Sequence, residues 1–141
     1  MKATLKWQGP GGLAMEASAD SGHTVVMDAS EEVGGHNTGL RPMEMVLLGV
    51  GGCTSIDVIT ILQKMRQDVT GCDVVLEAER ADDIPKVFTK IHVHFIVSGR
   101  GLDAERVGHA IELSQEKYCS ASIMVGKTAE ITHDFEIVEA A

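Results

Sequence analysis

The stretch PMEMVLLGVGGCTSIDVITIL, residues 42–62, decides the fold. After Glu44 its only polar interruptions are Thr54, Ser55, Asp57 and Thr60. A helix with so little polar face is buried on most sides. Pro42 suits the first helical position, where its missing N–H costs nothing, and Glu44 in the first turn complements the helix dipole. Gly49, Gly51 and Gly52 each cost about 1 kcal/mol against Ala in a helix interior. That cost implies either a second backbone in close approach or a break between two helices.

Outward from this helix the chain turns to strands. Residues 2–7 and 13–17 flank the turn Gln8-Gly9-Pro10-Gly11-Gly12, and residues 24–27 follow a second turn at Asp20-Ser21-Gly22-His23. These read as a three-strand meander, and Gly-rich residues 28–40 read as a loop. Downstream, residues 73–80 and 88–97 alternate, with Val74, Leu76 and Ala78 on one strand and Ile91, Val93, Phe95 and Val97 on the other. The Asp82-Asp83-Pro85 connection makes them an antiparallel hairpin. A second, amphipathic helix is predicted over 104–118, with Asp103 as N-cap and Val107, Ala110, Ile111 and Tyr118 in its stripe. Ser114 weakens that stripe. A last strand is predicted over 129–138. The order βββ–α–ββ–α–β gives an α+β fold with mostly antiparallel strands, in one domain spanning residues 1–141.

Composition narrows the function. A net charge of −9 argues against nucleic acid or an anionic membrane as partner. No run reaches the roughly 18 uncharged apolar residues of a spanning helix, and Met1 to Trp7 lacks the apolar core of a signal peptide. A cytoplasmic location is the expectation. Three cysteines, an odd number, fit a secreted disulfide framework poorly. In a reducing compartment they are packing residues, metal ligands or redox catalysts. Cys53 lies near the middle of the apolar helix, Cys119 ends the amphipathic one and Cys72 precedes a strand. By pattern alone each is most simply a buried packing residue.

The run Arg41-Pro42-Met43-Glu44-Met45-Val46-Leu47-Leu48-Gly49-Val50-Gly51-Gly52-Cys53 resembles the first signature of the OsmC/Ohr family. Glu116-Lys117-Tyr118-Cys119-Ser120-Ala121-Ser122 resembles the second, and element order and length match over essentially the whole chain. Pro42-Met43-Glu44 and Ser55-Ile56-Asp57-Val58 look most like the YhfA-like branch. The resemblance implies an intertwined homodimer with a long buried central helix, and a thiol peroxidase of organic hydroperoxides. In that family the residue matching Cys53 attacks the peroxide and becomes a sulfenic acid. The residue matching Cys119 resolves it as a disulfide, which a thiol or dithiol reductant reopens. No cofactor and no metal is implied.

The chain departs from the family at two positions. The family's catalytic arginine comes from the N-terminal hairpin region, yet no arginine precedes Arg41 here. The glutamate that usually follows the helix-opening proline is replaced by Met43, with Glu44 one place later and turned about 100° round the helix. Arg41 and Glu44 are therefore the candidate substitutes. Arg41 is twelve residues from Cys53, about 18 Å along a helix axis. Asp57, at i+4 from Cys53, opposes thiolate formation wherever both face the same space. The alternative, on the same dimer, is a small-molecule binding or redox-sensing protein with little peroxidase activity. A zinc or copper site using both cysteines and a histidine is a third possibility. His92 and His94 share a strand face but read more simply as a surface or core pair, and His36 as a solvated loop residue.

Overall fold

In the computed structural model, which describes residues 1–141, the first elements are strands β1 (Ala3–Trp7), β2 (Met15–Ala19) and β3 (Thr24–Met27). After a 3₁₀ turn at Glu31–Val33 come helix α1 (Pro42–Lys64) and strands β4 (Asp68–Arg80) and β5 (Phe88–Arg100). Helix α2 (Ala104–Leu113), a π turn (Ser114–Tyr118), helix α3 (Ser120–Val125) and strand β6 (Glu130–Glu139) complete the chain. The expected α+β class holds. The chain divides into two compact units, Met1–Leu47 and Leu48–Ala141.

The C-terminal unit is built on β5. It lies between β4, antiparallel, and β6, parallel. The alternation read from sequence is realised: Ile91, Val93, Phe95 and Val97 are buried, and their neighbours face the other side. Helix α2 buries Val107, Ala110 and Ile111, one stripe at helical spacing, and Asp103 caps it by accepting from the Glu105 N–H at 2.9 Å. Two glycines, one in close approach and one in ordinary contact, lie against this face of the sheet. A Cβ on Gly51 of α1 would lie 2.7 Å from the Leu76 side chain, and one on Gly108 of α2 would lie 3.5 Å from the Phe135 ring.

Three features differ from the sequence expectation. The second helix leaves α geometry at Ser114, passes through the π turn and resumes as α3. β6 joins in parallel because α2, the π turn and α3 form a crossover connection, the usual link between parallel strands. A third difference concerns α1. Its buried residues Val50, Thr54, Val58 and Leu62, with Gly51, lie along one side. Leu48 and Ile56 are exposed, and nothing lies within 4 Å of a Cβ built on Gly49 or Gly52. Only one side of the helix is covered within a single chain, not most sides. By length and composition alone α1 could cross a bilayer, with mean hydropathy 1.9.

The N-terminal unit is the meander β1–β2–β3, antiparallel throughout. Its only buried side chain is that of Asp28, at 3% exposure. Leu5, Trp7, Leu13 and Val26 are all exposed. Order in the following loop comes from hydrogen bonds. The Asp28 carboxylate accepts from the N–H groups of Ala29, His36 and Thr38 and from the Thr38 hydroxyl, the last at 2.6 Å. The bridge Met27–Leu40 closes the loop. The Thr38 bonds, largest first, followed by those from Ala29 and His36, hold the Asp28 carboxyl far below the usual carboxylate range.

A depressed folded pKa contributes stability that is present above the unfolded value of about 3.9 and is lost as pH falls through the folded one. Acidification below about pH 4 should therefore loosen the N-terminal unit, which carries the only tryptophan, Trp7. Trp7 fluorescence followed against denaturant and pH checks this. Asp28→Asn should unfold more readily at neutral pH and show a flatter acid dependence than wild type.

Candidate functional site

Cys53 and Asp57 are i and i+4 on α1, so they share one face. Cys119 arrives from the other direction. The π turn ends there with its N–H bonded five residues back, to the Ser114 carbonyl at 2.7 Å, and Cys119 then serves as N-cap of α3. One ligand atom each from Cys53, Asp57 and Cys119 lies within 4.8 Å of the others. No disulfide joins the thiols.

A hydrogen-bond chain braces the three. Gln115 Nε2 donates to Thr54 Oγ1 at 2.8 Å, and the Thr54 and Ser114 hydroxyls share a bond of 2.7 Å. Ser114 Oγ donates to Asp57 Oδ2 at 3.1 Å. With Ser114 donating to the carboxylate, the Thr54 hydroxyl donates to Ser114, and the chain runs from amide to carboxylate with every proton placed. Thr54 and Ser114 are fully buried, and no buried side-chain polar atom of the chain lacks a partner.

The two thiols differ in environment. Cys119 is fully buried and its sulfur accepts from the Ser122 N–H at 3.3 Å. Burial pushes its pKa up; the bonds from Ser122 oppose the rise, and neighbouring Cys53 adds to it. Cys53 is half-buried. Beside them opens a cleft of ≈ 420 Å³ lined by Asp57, Thr60, Ile61, Lys64, Met65, Leu113 and Tyr118. An enclosed thiol thus lies near a more accessible one, beside a carboxylate that also lines the cleft.

The remaining candidates are engaged elsewhere. Arg41 donates to the Gly39 carbonyl at 3.0 Å and to Asn37 Oδ1 at 2.9 Å. The Glu44 carboxylate accepts from the Arg41 N–H at 2.8 Å, the backward half of a capping box that starts α1. His36 bonds the Gly11 carbonyl through Nε2 at 2.5 Å. Cys72 lines a separate groove with Gly51, Gly52 and Ser55, its pKa raised by burial and then by Asp73. His92 and His94 lie on the outer face of the β4–β5–β6 sheet. Both bond Asp134 Oδ1, at 2.9 and 2.6 Å, and His94 also meets Glu136 at 3.2 Å. Thr54, Gln115 and Ser122 were not legible as site residues. The available signal was a pair of polar residues, Thr54 and Ser114, each interrupting an apolar stripe.

A sequence profile of the family described as OsmC-like protein matches residues 35–134. The chain is 46% identical over 140 residues to Protein YhfA of Escherichia coli strain K12, covering 99% of this chain and 100% of that protein. The crystal structure of an OsmC-like protein from Mycoplasma pneumoniae superposes with a TM-score of 0.81 at 12% identity, covering 97% of this chain and 96% of that one. The organic hydroperoxide resistance protein OhrB of Bacillus subtilis matches with a TM-score of 0.63 at 15% identity, covering 96% and 98%. At such identities the two structures show a shared fold.

The outer-face histidines give a pH prediction. The hydrogen bond to Asp134 raises the His94 pKa; burial opposes it, and the Asp134 charge and then Glu136 add to the rise. The stability His94 contributes is complete below the unfolded value of about 6.5 and is lost as pH rises through the higher folded one. Imidazole NMR should find His94 titrating above an ordinary histidine, and Asp134→Asn should return it toward about 6.5.

Proposed function

The chain belongs to the OsmC-like protein family, and from that premise we propose that it is a cysteine-based peroxidase of organic hydroperoxides. Cys53 is the attacking thiol and Cys119 the resolving one. The observation that supports this assignment most is the approach of the two sulfurs within 4.8 Å, the half-buried one on a helix face and the buried one opposite. A resolving thiol needs only to wait protonated, and the raised pKa of Cys119 suits that role. The attacking thiol must meet substrate, and Cys53 is the more accessible.

In the first step the Cys53 thiolate attacks one peroxide oxygen. The O–O bond breaks, the alcohol leaves with a proton, and Cys53 becomes a sulfenic acid. The Cys119 thiol then displaces water from that sulfenic acid and forms a disulfide. Closing to the S–S bond length of about 2.05 Å takes side-chain rotation and a local shift around α3. A thiol or dithiol reductant reopens the bridge and is itself oxidised. Arg41 and Glu44 serve this chemistry by fixing the first turn of α1, which carries Cys53. The cation that favours the thiolate has to come from beyond this helix, from a second copy of the chain or a flexible segment.

That second copy is part of the proposal. We take the whole chain, 1–141, as one functional domain working as an intertwined homodimer in the cytoplasm, with three free cysteines suited to a reducing compartment. A three-stranded meander without a buried apolar side chain is not independently stable, and α1 leaves Leu48, Gly49, Gly52 and Ile56 uncovered. A partner protomer answers both. One observation favours a second reading, a redox sensor or small-molecule binder with little turnover: Asp57, within 4.8 Å of the sulfurs, disfavours negative charge on them.

Turnover of cumene hydroperoxide with dithiol reductants separates the two. Cys53→Ser should abolish it. Cys119→Ser should accumulate Cys53 sulfenic and then sulfinic acid, visible by mass spectrometry. Turnover unchanged in Cys53→Ser would sink the peroxidase mechanism, and negligible wild-type turnover would leave the sensor. Light scattering should give twice the chain mass. Gly52→Leu has open space within one chain, so it should stay folded by circular dichroism while weakening the dimer by about 1–3 kcal/mol, the usual cost of overpacking.

A further inference from the structure

We propose that Cys53, Cys119 and Asp57 also form a binding site for a thiophilic divalent cation of the zinc type, held in competition with the dithiol chemistry. Two sulfurs and a carboxylate oxygen converge from two directions within 4.8 Å. A tetrahedral zinc with bonds of about 2.3 Å to sulfur places two sulfurs about 3.8 Å apart. The two sulfurs therefore have to close by about 1 Å at most. Two thiolates select a borderline or soft ion over calcium or magnesium. Three protein donors leave a fourth position for water, as in open zinc sites.

The surroundings supply what such a site needs. Ser114 Oγ holds Asp57 Oδ2 at 3.1 Å and leaves the second carboxylate oxygen free to coordinate. Ser114 is in turn fixed by Thr54 and Gln115, and the Ser122 N–H points at the Cys119 sulfur. Partners of this kind orient ligands and raise affinity. Charge makes the case stronger. No cationic side chain ion-pairs with Asp57, so two thiolates beside that carboxylate would gather three negative charges with no ion pair to offset them. A divalent cation removes the conflict and releases the two thiol protons.

The metal slows attack on peroxide by either thiol, and oxidation of the pair ejects it. Two metal-bound thiolates, one hydroperoxide and two protons give a disulfide, the free cation, an alcohol and water. Coordination itself requires no peroxidase activity; only the ejection step by hydroperoxide rests on the function proposed above.

Cobalt(II) is the probe, titrated into the reduced full-length protein. The expected result is one ion per chain, thiolate-to-cobalt charge-transfer absorption, tetrahedral d–d bands and about two protons released per ion. Cys53→Ser and Cys119→Ser should each weaken that absorption, Cys72→Ser should retain it, and Asp57→Asn should lower affinity at least about tenfold. Asp57→Asn should meanwhile consume hydroperoxide faster, since a negative charge beside the thiols is gone. Wild-type protein oxidised to the Cys53–Cys119 disulfide needs no substitution and should bind no cobalt. The proposal is overturned by reduced protein that gives no thiolate charge transfer, or by a band that survives disulfide formation or loss of both cysteines. Cobalt bound without peroxide turnover overturns the peroxidase alone, and turnover without cobalt overturns the metal site alone.

Discussion

The hydrogen bond between Thr54 and Ser114, 2.7 Å long and wholly buried, is the constraint on which the candidate site depends. Thr54 follows Cys53 directly, and Ser114 opens the π turn that ends at Cys119. Neither hydroxyl can lose its partner cheaply, because an unsatisfied buried polar group costs about 1–3 kcal/mol. The bond therefore fixes the register of α1 against the α2–α3 segment more sharply than apolar packing does, since packing tolerates sliding. Gln115 and Asp57 extend the same chain at either end.

How much of this was legible depended on how local its cause was. The alternation of β5, the Asp103 cap and the start of α1 at Pro42 are written in neighbouring residues, and all three hold. The parallel placement of β6 was not legible, because orientation is set by the crossover connection and not by the strand's own pattern. Nor was the π turn, whose five-residue hydrogen bond is stabilised by Ser114 reaching a residue 60 positions earlier. Thr54 and Ser114 each looked like a defect in an apolar stripe. Only the fold shows that the two defects satisfy one another.

The α1 surface carries a related lesson about what a single chain can explain. Sequence alone made α1 look buried on most sides, whereas one chain covers only the side of Val50, Thr54, Val58 and Leu62. The apolar composition on the other side is a property of the sequence that its own fold leaves unused. The glycines divide in the same way. Gly51 answers to Leu76 within the chain, while Gly49 and Gly52 face open space. Of the three glycines the helix carries at a cost, one serves an internal approach.

The π turn also has a hereditary consequence. It holds one residue more than the α geometry on either side would use for the same turn. Winding these same residues as ordinary α-helix would carry Cys119 one residue further round. Each residue of helix carries about 100° of rotation and 1.5 Å of rise, so the sulfur of Cys119 would swing away from Cys53. Side chains at Glu116 and Lys117 are exposed and free to drift under mutation. Length and winding are therefore tied together in this segment, while residue identity is free: a version one residue shorter keeps its thiols paired only by giving up the π turn.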